Sequence, residues 1–305
     1  MLAILGLFGL ALSAVMVTGH DYDDGSAESD DLNEASDTSE MQGETISLDE
    51  LLTGDDLNES LLSDEQSGVT DLSGDDLIIF TGDADDVITT GAGEDLIDGG
   101  AGNDVIDAGA GADEVHGGLG DDALTGGDGD DDLYGHVGDD SLLGGAGNDA
   151  LVGGDGQDVL EGGDGDDSLS GDLGNDTLTG GNGADVMFGG SGDDVLDGRD
   201  DGSIDFLNGG AGDDYIISGT DDHLNGGTGA DTFAMAVNSG TFVDDFDIDE
   251  DTIEVAYDAD GGEPVLSFFD NDDGAVLMAD DTVAATFAGL TSLDLASVPV
   301  VLTAI

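Results

Sequence analysis

Cysteine and tryptophan are absent from this 305-residue chain, proline occurs twice, and a single cationic side chain, Arg199, stands against 75 Asp and Glu. Without cysteine there is neither a disulfide framework nor a thiolate metal site. A net charge of −74 leaves no cationic surface to replace the counterions of a polyphosphate, so nucleic acid is excluded as a partner. The four histidines (His20, His116, His136 and His223) show no ligand spacing in the sequence, and no transition-metal site is expected. No H-E-x-x-H or G-x-S-x-G occurs, and no nucleophile stands beside a plausible base. The roughly 70 residues outside the repetitive centre at each end leave little room for a catalytic domain, so no enzymatic activity is expected. Such a chain, free of metal, repels itself and has few bulky residues to bury, so it is not expected to fold alone.

What is present is a nine-residue unit, G-G-x-G-x-D-x-U-x with U apolar, which runs in unbroken register from Thr81 to Asp197 as 13 copies. Its sixth position is Asp every time: Asp86, Asp95, Asp104, Asp113, Asp122, Asp131, Asp140, Asp149, Asp158, Asp167, Asp176, Asp185 and Asp194. A merely solvated acidic face has no need of such constancy of place, or of Asp over Glu. The eighth position is always apolar, from Ile88 to Leu196, which supplies one inward side chain per unit to a short strand. The fourth is Gly except at Ala84 and the second is Gly except at His136 and Asp172, as left-handed loop residues require. Four less regular units follow, carrying Asp205, Asp214, Asp222 and Asp231; the first has eleven residues and the third eight, giving 17 units in all.

Regularly spaced carboxylates and loop carbonyls are hard oxygen ligands, which suit Ca²⁺ with its six to eight ligands and not zinc or copper. Mg²⁺ demands stricter octahedral geometry and keeps its own waters. The period sets the architecture. Six loop residues and three strand residues make half a turn, so two units close a turn and each unit stacks on the next but one. The fold expected is an all-β parallel β-roll, two parallel sheets facing each other across the column of apolar side chains. The ions would lie between loops stacked along each edge, so that binding and folding are one event. The candidate calcium ligands are the thirteen aspartates named above with Asp205, Asp214 and Asp231; the departures from the pattern between Gly198 and Asn225 weaken the assignments there.

The repeat resembles that of the RTX, or hemolysin-type, calcium-binding proteins of bacteria, over residues 81–234. The resemblance implies a parallel β-roll that binds several Ca²⁺ in its G-G-x-G-x-D loops, stays largely unfolded in a low-calcium cell and folds after export, typically through a type I secretion channel. It implies a secreted or cell-surface location and export machinery as a partner. After the repeats, Asp245, Phe246, Asp251 and Ile253 match a D-F-x-x-x-x-D-x-I pattern similar to that of serralysin-like proteins. RTX toxins resemble one another in a long apolar pore domain and an acylated lysine, and this chain has neither.

Four regions are expected. Residues 1–19 form an apolar signal or membrane anchor, apolar over 1–18 apart from glycines and the hydroxyl residues Ser13 and Thr18, but without the flanking Lys or Arg that would set orientation. Residues 20–70 form a disordered acidic linker, 71–234 the roll, and 235–305 a short β-rich C-terminal cap with a possible export signal. The function expected is calcium binding with a structural or adhesive role toward an unidentified surface or matrix partner. The alternative is a non-catalytic remnant or accessory chain of an RTX enzyme such as a serralysin-like protease or an epimerase. The outward positions seven and nine, with Glu114, His116, Tyr134, Leu143, Val152 and Phe188, show no evident ladder.

Overall fold

The computed structural model describes residues 60–61, 69–71, 76–199, 202–295 and 298–305; the apolar segment 1–18 and most of the acidic stretch 20–70 lie outside the described residues. Two stacks of strands result from the nine-residue period, one sheet of 14 strands and one of 12. Strand Ser141–Ala146 lies parallel between Ala123–Asp128 and Val159–Asp164 in one sheet, and Ala150–Asp155 lies parallel between Asp132–Val137 and Ser168–Leu173 in the other. Partners such as Leu142 and Leu160 are two units apart, which is the turn of two units that the spacing predicts. The parallel β-roll expected from the sequence is the fold of the chain.

Its core is a single file. The eighth-position side chains from Ile88 to Leu196 are at most 1% exposed, and the file continues through Leu207, Ile216, Leu224 and Phe233. Removing one of them leaves a hole that the flanking turns cannot close. In the calcium-loaded protein Leu160→Ala is expected to cost about 2–5 kcal/mol by urea unfolding. Val159→Ala, one residue earlier where the side chain is 50% exposed, is expected to cost no more than about 0.5 kcal/mol. Equal losses at the two sites would refute the single-file core.

The strands are longer than the expected three residues. Val105–Ala110 and its equivalents run six residues, from the seventh position of one unit to the third of the next, leaving three loop residues. The reason lies in the second-position glycine. At Gly145, φ of 119° turns the chain while its backbone stays in the ladder opposite Gly127 and Gly163, and at an equivalent corner the Ala110 N–H reaches the Gly91 carbonyl at 2.9 Å. The ladder therefore resumes at once beyond the corner, missing only the first-position glycine.

Irregular units bulge or pinch without breaking the file. Leu207 lies opposite Met187 across the long unit and opposite Leu224 across the short one. Arg199, in the long unit, forms a bidentate pair with Asp197 at 3.0 and 2.7 Å; the pair is local and exposed, and adds little to stability.

The β-rich C-terminal cap expected over residues 235–305 is built directly onto the two sheets: Thr241–Val243 and Thr282–Ala288 lengthen one, Thr252–Tyr257 and Val300–Ala304 the other, all in parallel. Among the described residues only Leu266–Asp270 and Gly274–Ala279 turn antiparallel. Phe246 fills the core there, its ring 5.8 Å from that of Phe233 and 5.1 Å from that of Phe287. At the other end Ile78–Phe80 pairs in parallel with Ser60–Leu61, and Val87–Thr89 with Val69–Asp71.

The outer faces are also better ordered than the sequence suggests. Leu143 lies on one sheet, Val152 and Phe188 on the other, so these three form no common apolar run. Rings do form ladders on the second sheet: His116 stacks on Tyr134 at 4.8 Å, and His223 lies between Phe206 and Phe242 at 5.0 and 5.4 Å.

Candidate metal centre

Two units per turn distribute the sixth-position aspartates over two columns, one at each edge of the roll. Asp95, Asp113, Asp131, Asp149, Asp167, Asp185 and Asp205 stack in one, and Asp86, Asp104, Asp122, Asp140, Asp158, Asp176, Asp194, Asp214 and Asp231 in the other. None of these sixteen candidate ligands is more than 6% exposed.

Within a column each residue locks the next. The Asp131 N–H donates to Oδ1 of Asp149 at 2.9 Å, and the Asp149 N–H donates to Oδ1 of Asp167 at 2.8 Å. The Asp149 carbonyl accepts the Ser168 N–H at 2.8 Å. Three of the polar atoms of the residue are thereby used, and Oδ2 is left. This oxygen is buried without a hydrogen-bond donor at every step from Asp95 to Asp176, and again at Asp194 and Asp214.

Oδ2 faces a second oxygen. Beside the Cα of Gly144, the point where a Cβ would stand is 2.4 Å from Asp149 Oδ2 and 2.6 Å from the Gly162 carbonyl oxygen. The same pairing recurs at Gly126, Gly135, Gly162 and Gly189. A side chain at the first position would fill this cradle, which accounts for the glycine there. The carbonyls of the fourth-position glycines stack above one another along the loops, and among the described residues none accepts a backbone hydrogen bond.

Burial makes these carboxylates hard to ionise. It pushes Asp122, Asp158, Asp167 and Asp194 up to about 7, and Asp113, Asp149 and Asp231 up to about 6. The backbone N–H on Oδ1 pulls each the other way, and neighbouring carboxylates add to the rise. A cation would reverse the shift, and the chain has one Arg to offer, already paired with Asp197. The counter-charge has to come from solution. Among the described residues no three His, Asp or Glu side chains converge, so an ion held here takes carbonyl oxygens as well as carboxylates. A carboxylate with several carbonyls is a donor set for a hard cation of high coordination number, and Ca²⁺ fits it.

These aspartates and glycines are the columns that define a known repeat. A family profile for the RTX calcium-binding nonapeptide repeat, four copies long, matches at residues 80–115, 107–142, 116–151, 143–178, 170–203 and 200–233, together half of the chain. This chain belongs to the RTX calcium-binding repeat family. No curated protein matches it. Membership gives the RTX roll its ion, Ca²⁺, in agreement with the oxygen donors along both edges.

Other members of the polar framework escaped the sequence reading. The fifth position carries a second ladder, running the opposite way: the Asn148 N–H donates to Asp130 Oδ1 at 2.8 Å, and the Asp166 N–H to Asn148 Oδ1 at 2.9 Å. Its signal was available, since nearly every fifth residue is Asp, Asn, Glu or Gln. Asp222 continues the first column, accepting the Asp205 N–H at 3.1 Å, but its Oδ2 takes the Gly219 N–H because the eight-residue unit pinches the loop. Asp251 ends the second column in the same manner, with Oδ1 on the Asp231 N–H at 3.0 Å and Oδ2 on that of Asp247 at 2.7 Å. Asp245 accepts the Gly226 and Gly227 N–H groups. The D-F-x-x-x-x-D-x-I segment thus closes the column, its Phe246 and Ile253 filling the core below.

Proposed function

We propose that this RTX chain is an exported calcium-binding module without catalysis of its own, which folds on taking up Ca²⁺ outside the cell and serves there as a structural or adhesive element. The aspartates of both columns are its ligands through Oδ2, completed by loop carbonyls. The observation that carries this reading is the buried Oδ2 series, lacking a donor in a chain with a single Arg. Inside a low-calcium cell such a chain stays extended and passes through an export channel; at extracellular calcium levels its loops close. The lack of a hydrolase motif supports the non-catalytic part, and the exposed rings of one sheet offer a surface to a partner.

Asp149→Asn tests the ligand assignment. The amide keeps Oδ1 for the Asp131 N–H but removes the charge and the oxygen on the other side. The variant is expected to bind one or two fewer calcium ions than the parent by equilibrium dialysis, with the neighbouring turns loosened and the rest of the roll intact. An unchanged ion count would remove the aspartate column from the site.

A further inference from the structure

Only two of the 13 regular units replace the second-position glycine, and at both the backbone stays left-handed: His136 with φ 79° and Asp172 with φ 73°. A side chain in that region costs about 1–2 kcal/mol, so the backbone gains nothing from His136. Its imidazole, however, is held in a defined array. Nε2 of His136 is 2.9 Å from Nδ1 of His116, and Nε2 of His116 is 3.1 Å from Oε1 of Glu114. The two rings lie nearly coplanar and edge to edge, their centroids 5.2 Å apart at an interplanar angle of 15°, with Tyr134 against the His116 face at 4.8 Å, and Asp98 lies beside His116 on the adjoining strand.

Glu114 settles the tautomer. By accepting the His116 Nε2–H it leaves the Nδ1 lone pair aimed at His136, the arrangement in which a carboxylate orients a metal-binding imidazole. A hydrogen bond between the two nitrogens then takes its proton from His136 Nε2. If that ring holds its proton on Nδ1 instead, both facing nitrogens are lone pairs.

We propose that His116 Nδ1 and His136 Nε2 form a binding site for one borderline divalent transition-metal ion (Zn²⁺, Ni²⁺ or Cu²⁺) on the outer face of the aromatic sheet, with Glu114 as positioning residue. Metal–nitrogen bonds of about 2.0–2.1 Å at a near-tetrahedral angle set the nitrogens about 3.4 Å apart, so the pair opens by roughly half an ångström. The His136 ring is exposed and can make this movement, while His116, half-buried against Tyr134, stays in place. Among the described residues no third side chain converges, and water would fill the remaining positions. Imidazole selects these ions over Ca²⁺, and the oxygen-lined edges select Ca²⁺ over them, so one roll holds both classes without competition.

The experiment uses the full chain in saturating calcium, with folding verified first by circular dichroism so that a failure to fold is seen separately. Ni²⁺ is added and the imidazole Cε1–H signals of the four histidines are followed by NMR. The expected result is selective broadening of His116 and His136 below one equivalent. His136→Gly restores the repeat glycine and relieves the backbone, so it should fold at least as well while binding Ni²⁺ at least tenfold more weakly. His116→Gln should weaken it similarly. Absence of Ni²⁺ binding, equal broadening of His20 and His223, or undiminished affinity in His136→Gly would each overturn the site.

Discussion

In chelator at pH 7.5 the full-length chain is expected to give the far-UV circular dichroism of a disordered polypeptide, and to convert cooperatively to β structure as Ca²⁺ is added. Mg²⁺ at the same concentrations should leave it disordered. Magnitudes decide this. Each carboxylate buried without a counter-charge costs several kcal/mol, and the Oδ2 series from Asp95 to Asp176 alone repeats that cost at every unit. A domain's net stability is only about 5–15 kcal/mol. A single file of Ile and Leu cannot offset such a sum, so the metal-free ionised roll lies above the unfolded chain. Calcium at a hundred times its dissociation constant returns about 2.7 kcal/mol per independent site, so folding needs ions at many of the loops along both columns. With ions held between loops of successive turns, as proposed, the transition should be steeper than a single-site curve. A chain already β-rich in chelator at this pH, or one that folds equally in Mg²⁺, would break the link between the buried carboxylates and calcium.

The period carried most of this architecture because every copy repeats the same three physical demands. Leu142, Leu151 and Leu160 must alternate between two sheets if each is to be buried, and that fixes two units per turn. The invariant Asp then falls at the edges, where its backbone and Oδ1 close the ladder. The column was legible, but not which oxygen remains open, since that depends on the Asp131 N–H reaching across to Asp149. Beyond Ala234 the period stops although the stack continues; there Thr252–Tyr257 and Val300–Ala304 pair by ordinary strand alternation, which carries no nine-residue mark. The His116–His136 pair was hidden for a different reason. Positions nine and two belong to separate columns of the repeat, and they share a surface only because the strand runs on through the glycine corner from Tyr134 to Val137. Reading the strand as three residues placed His136 in a loop, away from His116.

Acid should do in part what calcium does. The metal-free roll holds Asp122, Asp158, Asp167 and Asp194 at about 7 and Asp113, Asp149 and Asp231 at about 6, against about 3.9 for an aspartate in the unfolded chain. Between these limits the folded form binds more protons than the unfolded one, so its stability falls as pH rises. The stabilisation is complete below about pH 4 and is lost as pH climbs through 6 to 7. In chelator, β content is therefore expected to grow between pH 7 and pH 5, read by circular dichroism on dilute protein with sedimentation to exclude aggregates. Calcium-driven folding has another dependence. From an unfolded chain whose aspartates are already ionised to a roll whose aspartates hold calcium, no proton is exchanged above about pH 5, so the calcium midpoint should be nearly flat from there to pH 7.5. Below that the unfolded carboxylates protonate and more calcium is needed. Asp149→Asn separates the two regimes: having one buried charge fewer, it should fold more readily than the parent in chelator at pH 6 and less readily in calcium at pH 7.5. A chelated chain as disordered at pH 5 as at pH 7.5 would mean that protonating the columns does not release the repulsion that keeps the roll open.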